Sequence, residues 1–267
     1  MPATFPSHQG FVLPLKLWRP AWFDGVGLSV GAAVPDLGYA AGCCTPPQTY
    51  GHSWWGTVVL LPIGLLLSWL VRWAAPTVAA HLPMAGPLAL GDYGVLGVVR
   101  HRWWVSALSV WLGVFSHVAT DHLTHAAIEG TTLGLPALNA EVVPGLAWWI
   151  PIHLLGTALG GLVWLGVIIH IGRQRLLLRW HGPAPVVAAR PRLFWGTVIG
   201  IGLGVAVVTG VAAVLGQHVA FVGFLPSLPR PSVMVVRVAV GLFVAVLVAT
   251  AVTKRARPEA LLSDVGA

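Results

Sequence analysis

The sequence predicts an all-α membrane protein, a polytopic bundle of about five transmembrane helices behind a short N-terminal helical hairpin. Three observations predict it. Of the 267 residues, 57% are hydrophobic and only 9% charged, against roughly 25% charged in soluble domains. Mean hydropathy is +0.82. Five apolar runs, about 54–73, 103–121, 148–171, 194–217 and 233–252, approach the roughly 20 residues that a bilayer requires. The whole chain, 1–267, then reads as one integral-membrane domain: a hairpin over 1–53, five helices over 54–252, and a tail over 253–267.

The hairpin comes first. Met1 to Gly10 lacks the basic start and apolar core of a cleaved signal peptide, so none is expected. Two apolar arms, about 7–17 and 24–36, flank a turn at Trp18-Arg19-Pro20. Arms of this length reach roughly 15–20 Å, less than a hydrocarbon core of roughly 30 Å. The expectation is a re-entrant or tilted hairpin covered by other helices. It returns Asp36 to the level of His8 and leaves Lys16 and Arg19 near its tip, reaching for the inner surface. The adjacent Cys43 and Cys44 read as small apolar residues.

Trp54-Trp55, Trp103-Trp104 and Trp148-Trp149 open three of the five runs. Such rings anchor at headgroup level. If the spans alternate, eleven of the fifteen basic residues fall on one side: Arg72, Arg100, Arg102, Arg173, Arg175, Arg179, Arg190, Arg192, Lys254, Arg255 and Arg257. The opposite loop, 122–147, has no Lys or Arg but holds Glu129 and Glu141. The positive-inside rule makes the basic side, and with it the C-terminus, cytoplasmic. The net charge of +7 thus reports orientation and anionic lipid, and nucleic acid is not an expected partner. Gly156-x-x-x-Gly160 and Gly196-x-x-x-Gly200 are patterns that permit close helix contact.

The chemistry concentrates in Ser116-His117-Val118-Ala119-Thr120-Asp121-His122-Leu123-Thr124-His125. Ionisable residues at membrane depth mark function by default. On a helix, His117, Asp121 and His125 fan over one face, about 40° apart per step. Imidazole and carboxylate on one face suit a divalent ion such as zinc or manganese. His117 and His125 lie about 12 Å apart along the axis, so they share no ion while the helix is intact. Asp121 lies between them and can bridge two ions. His122 points about 140° from His117, away from the site. Thr120 and Thr124 are candidates to orient the ligands.

Antiparallel spans bring a second cluster to the same level. His52-Ser53 precedes the first span, at its outer end, and the hairpin adds His8 and Asp36. The candidate metal ligands are therefore His8, Asp36, His52, His117, Asp121 and His125, with Glu129, Glu141 and His153 in reserve. Glu129 is the candidate general base, as the nearby carboxylate on a loop. Arg237, about one turn inside the last span, is expected to snorkel outward. His81, His101, His170, His181 and His218 are given no role.

The order of these motifs resembles a bacterial membrane family, domain-of-unknown-function 4184. The resemblance rests on Met1-Pro2-Ala3-Thr4-Phe5-Pro6-Ser7-His8, Val34-Pro35-Asp36-Leu37, His52-Ser53 and Ser116-His117-x-x-x-Asp121-x-x-Thr124-His125. It covers the first 125 residues best. The same order is similar to a wider group of inner-membrane proteins described as metal-dependent hydrolases. That group often carries a second Asp where this chain has Gly38. The resemblance implies a bacterial inner-membrane location and hydrolase activity, and names no substrate.

Two function classes are expected. One is a membrane-embedded, metal-dependent hydrolase with an outer-face His/Asp site, acting on a lipid or other phosphoester already in the bilayer. The other is a non-catalytic multi-pass protein with a structural polar or metal site, or a small transporter. Spans three to five carry almost no ionisable side chains to line a transport path.

Overall fold

The computed structural model describes residues 4–41, 46–127, 134–221 and 231–256. Its helices are α1 (Thr4–Trp18), α2 (Gly25–Gly31), α3 (Pro46–Gly51), α4 (Gly56–Val59), α5 (Leu61–Ala80), α6 (Trp103–Thr124), α7 (Trp149–Arg173), α8 (Leu176–His181), α9 (Pro191–Phe221) and α10 (Pro231–Arg255). The 3-10 turns Val34–Ala41, Leu90–Gly97 and Pro136–Asn139 join them. A two-stranded β-hairpin, Glu141–Val143 with Leu146–Ala147, is the exception to the all-helical expectation.

Four segments are long and apolar enough to cross a membrane: Gly56–Ala80, Trp149–Arg173, Pro191–Val208 and Met234–Arg255. Their surfaces carry exposed leucines and valines such as Leu162, Leu203, Val207 and Val244. Outward apolar area of this extent marks a membrane protein. The remaining expected span is α6, as long as its neighbours but more polar. A serine, a histidine and an aspartate (Ser109, His117 and Asp121) occupy its buried face. Its polarity is turned inward, where other helices cover it.

The N-terminal hairpin is present, with α1 and α2 as its arms. α1 runs parallel to α7. Gly10 meets the backbone of Gly160, and Leu13 packs with Val167 and Ile171. A Cβ on Gly10 would lie 2.0 Å from the Gly160 carbonyl oxygen, and one on Gly160 would lie 2.5 Å from that of Ser7. α2 runs parallel to α6 at similar range. A Cβ on Gly31 would meet the Val110 carbonyl oxygen at 2.2 Å, and one on Gly113 the Leu28 carbonyl oxygen at 2.5 Å. Of the two spaced-glycine patterns, Gly160 makes backbone contact and Gly156 touches only the Thr124 side chain. Gly196 and Gly200 have nothing within 4 Å, so the second pattern faces outward.

Asp24 fixes the turn of the hairpin. Its carboxylate caps α2 by accepting from the Val26 and Gly27 amides at 3.0 and 3.1 Å. It also accepts from Ser106 Oγ at 2.7 Å and pairs with Arg72 Nη2. The Asp24 amide donates to Ser109 Oγ at 2.8 Å. α5, α6 and the hairpin are thus tied at one point. Lys16 is buried and does not reach outward as expected. Its ammonium donates to the Pro20 and Phe23 carbonyls at 2.7 and 3.0 Å and closes the turn from inside. Arg19 rests over the Trp18 ring.

α5 and α6 are antiparallel. Leu60, Leu61 and Leu65 pack on Val110, Val114 and Val118. α9 and α10 form a second antiparallel pair, joined to the first through Phe194, Val198, Ala249 and Val78. Lys254 Nζ donates to the Trp73 carbonyl at 2.7 Å at one end of α10. At the other end Arg237 Nε donates to the Ala40 carbonyl at 3.0 Å. Arg237 therefore holds the Val34–Ala41 turn, where the sequence suggested a snorkelling cation. His81 is also structural, accepting from the Arg190 amide at 2.8 Å.

Two predictions follow from this packing. Gly160→Val should part α1 from α7 and cost about 1–3 kcal/mol of stability, whereas Gly196→Ala should be neutral. Thermal unfolding in detergent measures both. The second concerns His181 on α8, outside the four long apolar helices, whose ring meets that of His101 at 6.0 Å. Burial, followed by the positive charge of Lys16 and the neighbouring His101, pushes His181 down from 6.5 to about 4, with Arg72 adding to this and Asp24 opposing it. The fold favours the neutral ring. Its stabilisation is complete above about pH 6.5 and is lost as pH falls towards about 4. His181→Gln should flatten the fall in melting temperature across that window; an unchanged slope would exclude the assignment.

Candidate metal centre

The six candidate ligands come from five places in the chain. His8 lies on α1, Asp36 in the 3-10 turn Val34–Ala41, and His52 between α3 and α4. His117 and Asp121 lie on α6, and His125 is its C-cap. The hairpin brings the first two to the end of α6, and the antiparallel entry to α5 brings His52 there. The structure places all six together and buries five of them; Asp36 is half-buried.

Asp121 is the centre of the group. Its Oδ1 lies 3.3 Å from His8 Nε2 and 3.3 Å from His125 Nδ1. Its Oδ2 lies 3.4 Å from His117 Nε2 and 3.5 Å from His52 Nε2. Asp36 Oδ1 adds contacts of 3.4 Å to His52 Nε2 and 3.6 Å to His117 Nε2. The two oxygens of Asp121 therefore face two different sets of imidazoles. The helix stays intact through Thr124, and His125 takes an extended backbone, φ −108° and ψ 164°. His125 thus reaches Asp121 without sharing the side of His117.

One backbone bond sets the chemistry of His117. Its Nδ1 lies 2.8 Å from the Ala32 carbonyl oxygen. A carbonyl only accepts, so Nδ1 carries the proton and Nε2 presents a lone pair to the cluster. Among the described residues, neither His117 Nε2 nor Asp121 Oδ1 has a hydrogen-bond partner, and both are buried. Buried polar atoms left so are rare and call for an explanation.

A divalent ion fits this donor set. Tetrahedral ligands at about 2.0–2.1 Å from zinc stand about 3.3–3.4 Å from one another. The contacts among Asp36, His52, His117 and Asp121 run from 3.4 to 3.6 Å. Two groups, His8 with His117 and Asp121, and Asp36 with His52 and His117, place their ligand atoms within 4.8 Å of one another. Buried His and Asp groups are thus positioned to hold a metal ion. Among the described residues, no Lys or Arg contacts the two carboxylates of this cluster, so the imidazoles or a cation must offset their charge.

The surrounding residues sort more finely than the sequence allowed. His122 turns away and packs against Trp54, ring centroids 5.6 Å apart. Thr120 Oγ1 donates to the Ser116 carbonyl at 2.7 Å and serves the helix instead of a ligand. Thr124 Oγ1 donates to the Thr120 carbonyl and also lies 3.2 Å from His125 Nδ1. His153 joins as a neighbour, its ring 4.6 Å from that of His125. Glu141 is exposed on its strand, away from the cluster. Glu129, the candidate base, lies outside the described residues. Sequence reading missed Tyr39, whose ring meets the edge of His52 at 5.5 Å. Its signal was present: three residues separate it from Asp36, and positions i and i+3 eclipse on a 3-10 turn.

Asp121→Asn should therefore strip metal from the purified protein, since asparagine keeps the size and removes the charge. His122→Ala should leave metal content unchanged. Elemental analysis of the two variants decides, and the reverse pattern would place the ligands elsewhere.

No curated protein and no solved structure matches the chain. A family described as "Domain of unknown function (DUF4184)" matches residues 1–254. That stretch includes all six clustered residues and every described helix but the last residue of α10. The chain belongs to the DUF4184 family.

Proposed function

We propose that this protein is a membrane-embedded, metal-dependent hydrolase whose substrate is a phosphoester, with membrane lipids as the substrate class. The observation that carries the reading is the division of Asp121: one oxygen toward His8 and His125, the other toward His52 and His117. A carboxylate shared in this way suits two ions, the first completed by Asp36 and His52 with His117, the second by His8 and His125. Zinc and manganese both accept imidazole with carboxylate. Bound there, such ions activate water near neutral pH and stabilise charge on a phosphoryl oxygen.

The residues supply the rest. The Ala32 carbonyl keeps His117 in its ligating tautomer, and Thr124 steadies His125. Glu129 is our candidate to take the proton of the attacking water. The water oxygen bonds to phosphorus, the ester P–O bond breaks, and the departing alkoxide receives a proton. The setting is a bacterial inner membrane with the Arg-rich loops and the C-terminus in the cytoplasm, which puts the His/Asp cluster on the outer side.

A structural site is the competing reading. Asp36, Asp121 and His125 all border a partly open cavity, which favours a reacting centre over a closed one. Chelation should abolish hydrolysis of a phosphomonoester by the purified protein, and zinc or manganese should restore it. Metal-loaded protein with no hydrolysis of any phosphoester or carboxyl ester would favour the structural reading. Orientation is tested in a chain with Cys43→Ala and Cys44→Ala. An added Arg255→Cys should react with an impermeant maleimide only after the cells are opened. Labelling of intact cells would invert the topology and move the site to the cytoplasmic side.

A further inference from the structure

The cavity beside the cluster is about 680 Å³, within the range of roughly 300–1,000 Å³ common for ligand pockets. Val26 and Val30 of α2, with Ala33 just beyond its C-cap, line one part, and Leu70 of α5 with Val240 and Phe243 of α10 line another. At one end it reaches Asp36, Asp121 and His125. At the other it reaches Asp24, Arg72 and the floor formed by Trp180. On the unbroken α6 helix, Ser109, which accepts from the Asp24 amide, precedes Asp121 by twelve positions. At 1.5 Å per residue the path is roughly 18 Å long.

The two ends differ in what they offer a ligand. At the Trp180 end the charges are already engaged, Asp24 with Arg72 and Lys16 with two turn carbonyls. At the cluster end His117 Nε2 and Asp121 Oδ1 make ion-pair contacts of 3.3–3.6 Å within the cluster and, among the described residues, no aligned hydrogen bond. We infer that the cavity holds the single hydrocarbon tail of a phosphate-bearing lipid, its head at the His/Asp cluster and its chain end near Trp180. The position of the head rests on the proposed hydrolase reading; the tail site does not depend on hydrolysis. Lipid tails are as apolar as leucine, so the cavity gains little from hydrophobicity alone. It selects instead for a chain about as long as this path.

The test uses the full-length protein in phosphatidylcholine nanodiscs and a single-chain alkyl phosphonate with a diazirine at the chain end. After irradiation, the label should map to 176–181 and 239–247. Excess methylphosphonate, which has the head without the tail, should suppress it. Val30→Trp fills the cavity from α2 and Val240→Trp from α10, and each should cut this label about tenfold. Two opposite walls guard against one variant that fails to fold, and thermal unfolding identifies such a variant. Label spread over outward residues such as Leu162 and Val207, or label indifferent to methylphosphonate or to both tryptophans, would overturn the inference. Metal analysis of the same samples separates the two claims. Label in place on a metal-free protein sinks the hydrolase reading and supports the tail site. Metal without label overturns the tail site and leaves the hydrolase reading standing.

Discussion

The buried pair of Asp24 and Arg72 governs where everything else can sit. Asp24 is fully buried, and an isolated carboxylate there would cost several kcal/mol. The Arg72 guanidinium, the Ser106 hydroxyl and two α2 amides remove that cost by meeting it on several sides. Arg72 also donates to the Leu96 and Val99 carbonyls, so the same side chain stitches the loop after α5 to the hairpin. With the turn pinned, α1 must rise toward His8 and α2 toward Asp36. The cluster at the far end of the bundle is therefore positioned by a pair that never touches it.

Most of this plan was legible in the sequence because a membrane simplifies the code. Long apolar runs name the helices, and the Arg-rich loops order their ends. Once His52 and His117 fall at one level, proximity follows from topology. The hairpin was legible for the same reason: arms too short to span, broken by Asp24 and Asp36, have to return. The His117, Asp121 and His125 part of the cluster was readable through α-helical spacing on α6. The contacts among its six members were not, since each needs a tertiary approach.

What escaped the sequence depended on the third dimension. Lys16 reads as a charge in search of water, yet it is satisfied by the carbonyls of its own turn. Gly196 and Gly160 sit in identical patterns, and only the packing of α1 on α7 distinguishes them. Arg237 binds the Ala40 carbonyl, 197 residues away in the chain. The role of Ala32 was beyond any motif, because its contribution to His117 is a backbone oxygen that every residue type possesses. Thr120 illustrates the opposite error: a polar side chain beside a ligand can serve its own helix.

The parallel contact of α1 with α7 has a consequence for how the protein is made. Gln9 meets Trp164 at 155 residues' remove, and Ala32 meets His117 at 85. α1 is thus made well before the helix it packs on. Until Arg72 emerges, 48 residues behind Asp24, that carboxylate has no guanidinium to meet it. The His/Asp cluster can be completed only once α6 has been made, and the seam of α1 with α7 only later still.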